Sequence, residues 1–259
     1  TCLVGSEMCI RDRPFAVNLP LLYPDIDKHI SLIIKYRVPI VFTSAGNPKI
    51  WTKHLQEHNI KVVHVVSSAK FALKAQAAGV DAVVAEGFEA GGHNGQEETT
   101  TLCLIPLVKK AVEIPVIAAG GIATGRAMLA AMALGAEAVQ IGTRFVASNE
   151  SSAHEQFKNK VICLSEGDTV LSMKKLIAVR LIKNDFYKQV AAAEARGANR
   201  EELAILLGRG RAKKGMFEGD MKDGELEIGQ ISALLDDIKP AAEIVPVSYT
   251  HLRAHETCG

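Results

Sequence analysis

With 259 residues, 48% of them hydrophobic and 23% charged, the chain can bury a core large enough for a single α/β domain of barrel size. A net charge of +1 makes no electrostatic case for nucleic acid or an anionic membrane, and one tryptophan among few aromatics offers no stacking platform for single strands. No apolar run reaches the roughly 18 residues of a helical membrane span.

The two ends differ from the middle. Residues 1–13, TCLVGSEMCIRDR, and 246–259, PVSYTHLRAHETCG, carry three of the five cysteines and no usable periodicity, so they are expected to be foreign or disordered tails of translated adapter sequence. Cys103 and Cys163 remain, too few for a disulfide framework or a zinc site. No metal is expected, and a reducing cytoplasm is the simplest setting.

From Pro14 the chain repeats a short apolar run followed by an amphipathic stretch. The runs Phe15 to Leu19, Ile40 to Thr43, Val62 to Val66, Val80 to Ala85, Val116 to Ala119 and Ala138 to Ile141 predict strands buried on both faces. Between them Asp25 to Tyr36, Lys49 to His58, Ala69 to Ala78, Leu102 to Val112 and Gly125 to Leu134 predict helices, with Gly79 and Gly135 placed to end two of them. Six such units suit a doubly wound sheet or part of an eight-stranded barrel. The glycines favour the barrel. No GxGxxG follows the first run, whereas the glycine-rich loops follow the fourth, fifth and sixth, and barrels often bind phosphate after strands seven and eight. On that count the last two runs are strands seven and eight, two strands are missing from the front, and the fold is an N-terminally truncated (β/α)8 TIM barrel whose core is residues 14–150.

The loop after the fourth run, GFEAGGHNG, holds Gly87, Gly91, Gly92 and Gly95 around His93, the side chain there able to move a proton near neutral pH. A flexible surface loop with an incidental histidine is the alternative. In AAGGIATG, Gly120 and Gly121 after Ala119 expose backbone N–H groups beside a helix start near Thr124, and Gln140-Ile141-Gly142-Thr143 repeats the device one strand along with a hydroxyl. The pair predicts an anion site built without Lys or Arg.

Residues 151–225 break the rhythm. His154 to Ile162, Lys174 to Lys183, Asp185 to Ala195 and Glu201 to Leu207 predict a charged helical insertion. Its basic run Arg209 to Lys214 reads as a solvated face in preference to a phosphate or acidic-carrier site. Ile228, Ile231, Leu234, Leu235 and Ile238 predict a final helix within 226–245 that packs back on the barrel.

EGFEAGGHNG, IPVIAAGGIATGRAMLAAMALGAEAVQIGTRFVAS and IGQISALLDDIKPAAEIV together resemble the nitronate monooxygenase (2-nitropropane dioxygenase) family, which includes FMN-dependent enoyl-ACP reductases. The resemblance covers residues 14–245. It implies a (β/α)8 barrel with a small helical insertion and FMN as cofactor. It further implies that Gly120, Gly121, Gly142 and Thr143 hold the phosphate, with Ala119 and Gln140 beside them. Asn18, Glu86, Gly91 and Gly92 would line the flavin ring, and His93 would be catalytic. AAGGI alone also resembles the inosine-monophosphate dehydrogenase barrel, but that chemistry needs a thiolate, and the loop after Glu86 has no cysteine.

What the resemblance implies chemically is flavin redox work with one proton managed by His93. A nitronate monooxygenase oxidising alkyl nitronates with O2 is the preferred reading, with neutral nitroalkanes first losing an α-proton to His93. An FMN-dependent enoyl-ACP reductase using NAD(P)H is the alternative, and a non-catalytic flavin-binding remnant the third. The partners expected are a small-molecule substrate, a nitronate or an enoyl thioester, and a second copy of the chain as a homodimer.

Overall fold

The runs richest in valine take the centre of a parallel sheet, where both faces are covered, and the runs with exposed members take its edges. The computed structural model describes residues 14–246. Its strands are β1 (Ala16–Pro20), β2 (Ile40–Ser44), β3 (Lys61–Val66), β4 (Ala82–Glu86), β5 (Gly92–His93), β6 (Val116–Ala119) and β7 (Ala138–Gln140). All but β5 form one six-stranded parallel sheet in the order β1-β2-β3-β4-β6-β7. Consecutive parallel neighbours joined by helices are the arrangement of a β/α barrel segment. Eight strands closing on themselves are not found among the described residues.

The connecting helices are α1 (Ile26–Lys35), α2 (Thr52–Glu57), α3 (Ala69–Ala77), α4 (Thr101–Ala111) and α5 (Gly125–Ala133). The expected helix Lys49 to His58 is split: Asn47 accepts the amide of Lys49 and Pro48 opens a 3-10 turn, Pro48–Ile50, ahead of α2. Local chemistry sets the other ends. Ser68 and Thr124 cap α3 and α5 by accepting from Phe71 and Ala127, and Gly79 and Gly135 take φ of +83° and +104° just past the same helices. Leu55, Ala72, Ala75, Leu104 and Val108 pack from these helices onto Val41, Val62, Val66, Val83 and Val116, forming the main core. Fully burying one such leucine or valine contributes about 1.5–3 kcal/mol.

After α6 (Thr143–Val146) and α7 (Glu155–Val161) the region expected to be helical contains a hairpin, β8 (Thr169–Ser172) and β9 (Val179–Ile182). Lys174 to Lys183 is therefore not a helix. Glu194, from α8 (Asp185–Ala195), accepts from the Ser172 hydroxyl and the Met173 amide, and Met173 turns the chain at φ +56°. β5 pairs antiparallel with β9, so the hairpin reaches back to the loop that carries His93. Helices α9 (Arg200–Leu207) and α10 (Arg211–Met216) follow, and Asn199 and Glu202 close a capping box on α9. In the basic run Arg209, Lys213 and Lys214 are exposed, whereas Arg211 turns inward, donating to the carbonyls of Leu206, Leu207 and Asp223 and stacking on Phe186 at 4.4 Å.

Over Ile228 to Ile238 the expected α-helix gives way to a 3-10 turn, Gln230–Leu234, between extended Gly229 and Leu235, and α-helix near the end of the described chain is confined to residues 241–246. Tertiary anchors override the helical spacing. Thr143 accepts the Gly229 amide, Arg144 grips Asp237, and Ile228 and Leu235 are buried while Leu234 is left exposed. Residues 1–13 and nearly all of 246–259, set aside above as tails, lie outside the described residues.

Candidate functional site

In-register pairing of β4, β6 and β7 puts Glu86, Ala119 and Gln140 in one row at the carboxyl ends of their strands. In parallel α/β sheets that end is where ligands bind. A cavity of about 250 Å³ opens there, at the small end of the roughly 300–1,000 Å³ usual for ligand sites. Glu86, Gly91, Ala119, Gly120, Gly121, Gln140, Gly142 and Thr143 all line it.

The glycines do different work. Gly91 must lack a side chain because a Cβ there would come within 2.5 Å of the Ile228 carbonyl carbon, and one on Gly120 within 2.8 Å of the Gly87 carbonyl oxygen. They let three backbone segments close on one another. Gly121 is left-handed at φ +68°, with Glu89 beside it, whereas a Cβ on Gly142 would meet nothing within 4 Å. Among the described residues the amides of Gly120, Gly121 and Gly142 donate to no protein acceptor. Thr143 accepts from Gly229 at 3.1 Å, which leaves its hydroxyl hydrogen free to donate.

The remaining predicted residues are not brought into the cavity wall. His93 is exposed on β5, opposite Val179, and Gly92 lies buried beside it with φ +77°. Asn18 is exposed on β1, three strands from β4. In its place the fold supplies residues that the linear pattern did not assign to the site: Glu227 from the segment after α10, Met216 from α10 itself, and Ile228 and Ile231, which were expected only to pack a final helix on the barrel. The alternation in Glu225-Leu226-Glu227-Ile228 was the available signal, since it marks an extended segment with two acids on one side.

Electrostatically the cavity is acidic. Burial pushes the Glu86 carboxyl up to about 7, and the group has no protein hydrogen-bond partner among the described residues. Burial also raises Glu227, against which the charge of His93 works in the opposite sense. No Lys or Arg lines the cavity. The loop leading to His93 is held from below by Arg180 on β9, 1% exposed, whose Nε donates to the Phe88 carbonyl at 3.1 Å and whose guanidinium covers the Phe88 ring at 4.4 Å. Lys174 pairs with Glu98 at the far end of the same loop. Among the described residues no cluster of metal-ligating side chains occurs.

These donors fit the anionic group of a cofactor. Unpartnered glycine amides and a free hydroxyl hydrogen suit phosphate oxygens, and the open space at Gly142 is a cradle that a Cβ would fill.

The family model described as nitronate monooxygenase matches residues 10–248. A probable nitronate monooxygenase of Staphylococcus aureus (strain MSSA476) is 35% identical over 233 residues, which is 86% of this chain and 58% of that protein. The chain thus spans well under two thirds of the length of the curated relatives that it matches. Among solved structures, FabK from Thermotoga maritima is 40% identical with a TM-score of 0.90, covering 99% of this chain and 81% of that one. A nitroalkane oxidase from Streptomyces ansochromogenes is 25% identical with a TM-score of 0.79, covering 100% and 87%.

Proposed function

The chain belongs to the nitronate monooxygenase family, and from that premise we propose that it is an FMN-dependent oxidoreductase that oxidises alkyl nitronates with O2. The observation that carries the reading is the row Glu86, Ala119 and Gln140 above which the glycine amides and Thr143 converge on one cavity. Its six strands are read as part of a (β/α)8 barrel. The setting is taken as cytoplasmic and the assembly as a homodimer, with a small-molecule substrate as the partner.

When bound, FMN supplies the electron transfer. Gly120, Gly121, Gly142 and Thr143 would hold its phosphate through N–H and O–H donors that cost no charge burial. Glu86, Gly91, Ala119 and Gln140 would line the ring, with Gly92 just behind, and Ile228, Ile231 and Met216 would exclude water from the reacting face. Near neutral pH a carboxyl with the character of Glu86 can offer either an O–H donor or an acceptor. His93, at the outer side of Glu227, exchanges a proton with solvent.

A second reading, an FMN-dependent enoyl-ACP reductase using NAD(P)H, is favoured by the likeness to FabK, which exceeds that to nitroalkane oxidase in both identity and TM-score. Anaerobic stopped-flow spectroscopy of the FMN-loaded protein separates the two. Rapid flavin bleaching by propyl-2-nitronate is expected. Bleaching by NADH alone assigns the reductase, and no bleaching by either leaves only the flavin-binding remnant.

A further inference from the structure

His93 is not in the wall of the cavity, yet a proton from a substrate held there has to reach it. Glu227 is in that wall. One edge of β9 is taken by β8, so the bridge Leu181↔Glu227 and the bond from the Ile182 amide to the Leu226 carbonyl put residue 227 on the other edge, end to end with β5. There its carboxyl packs on Gly92, the neighbour of His93: a Cβ on Gly92 would lie 2.6 Å from Glu227 Oε2. The carboxyl and the imidazole are close enough for their charges to interact. Glu86, the other acid of the cavity, has no such partner.

We propose that Glu227 is the residue that carries the proton between the cavity and His93. The inference rests on the reading of this cavity as the redox site. With a neutral nitroalkane the Cα–H bond breaks, its electron pair moves onto the nitro group to give the nitronate, and the proton goes to a Glu227 carboxylate oxygen. From there, because the two side chains share no hydrogen bond, it passes by way of water to a ring nitrogen of His93 and on to solvent. Nothing is oxidised in this step. In an enoyl reduction the same path runs inward and supplies the proton that completes the saturated thioester.

The test compares Glu227→Gln, Glu227→Asp, His93→Ala and Glu227→Gln/His93→Ala in the full chain, with FMN affinity measured by fluorescence titration beside turnover. Glu227→Gln should bind FMN as the parent does and lose about 10²–10⁴-fold with neutral nitroalkane, with a much smaller loss on preformed nitronate. Glu227→Asp should recover part of the loss. The double variant should lose no more than the worse single variant, because the two groups act in series. Equal losses on both substrates, weakened FMN binding that accounts for the loss, or multiplicative losses in the double variant would overturn the proposal. If the parent bleaches with NADH and not with nitronate, the monooxygenase reading fails while this proposal stands to be read on reoxidation by crotonyl thioester. Glu227→Gln must then slow reoxidation by the same factor and leave reduction by NADH unchanged, and an unaltered reoxidation refutes it. A parent inert to nitroalkane, nitronate and NADH refutes both readings together.

Discussion

Gly142 and Gly121 line the same cavity but should fail differently when given a side chain. Gly142 has an ordinary φ of −99° and open space where its Cβ would be, so Gly142→Val should fold normally and lose FMN affinity by filling the place of the phosphate. Gly121 is left-handed, and its Cβ would press on that of Glu89 at 3.3 Å, so Gly121→Ala should cost about 1–2 kcal/mol of stability before any ligand is considered. Thermal melts with and without FMN separate the effects. Full flavin occupancy in Gly142→Val would show that the phosphate is held elsewhere. At this scale the glycine loops, Glu86 and Gln140 were legible because each lies at the end of a strand that the sequence itself delimits. Glu227 was not, since its chemistry depends on a bridge to Leu181 and on contact with Gly92, far away along the chain.

Among the elements, β3 carries a group that should report on the fold through pH. His64 is 6% exposed, shares a 2.8 Å hydrogen bond with Thr43 on β2, and is held down to about 4 by burial. The folded chain keeps it neutral while the unfolded chain takes up a proton below its ordinary value of 6.5. Stability should therefore fall as pH drops from about 6.5 to 4, by up to about 3 kcal/mol, and His64→Val should flatten that limb in urea titrations. A variant with the same acid slope as the parent would refute the assignment. The parallel strands and their helices were readable because burial on both faces leaves an unbroken apolar run and the caps are local. The hairpin β8–β9 was not: it lies outside the repeat of strand and helix, and the left-handed turn at Met173 is fixed by Glu194 from a later helix. Similarly, the spacing in Ile228 to Ile238 is helical, but the grips of Thr143 and Arg144 hold the backbone extended on either side of a single turn.

For the whole molecule the buried acids work against His64. Glu225, 7% exposed, is raised to about 7, chiefly by burial and further by Glu227, with Arg211 only partly offsetting this. The fold keeps its proton above the ordinary value of 4.5, so stability is complete below that pH and falls as pH rises through about 7. Glu225→Gln should match the parent near pH 4 and exceed it at about pH 8 by up to about 3 kcal/mol. No gain at pH 8 would mean that the carboxylate is stabilised by groups other than Arg211. Such opposing slopes cannot be seen in a composition, because both arise from which side chains end up without water. The sequence alone determined the alternation of strand and helix, the order of the parallel units and the glycine loops at the ends of β6 and β7, since each rests on hydrophobic period, backbone freedom or a cap within a few residues. Only the tertiary structure decided that Asn18 stays outside, that His93 stands at the surface on a strand paired to the hairpin, and that Glu227 lies between it and the cavity. Asn18 is set apart by β2 and β3, which lie between β1 and β4, and the other two placements depend on which distant segments share an edge of β9; edge pairing is fixed by backbone hydrogen bonds that every residue can offer, so side-chain identity leaves little trace of it.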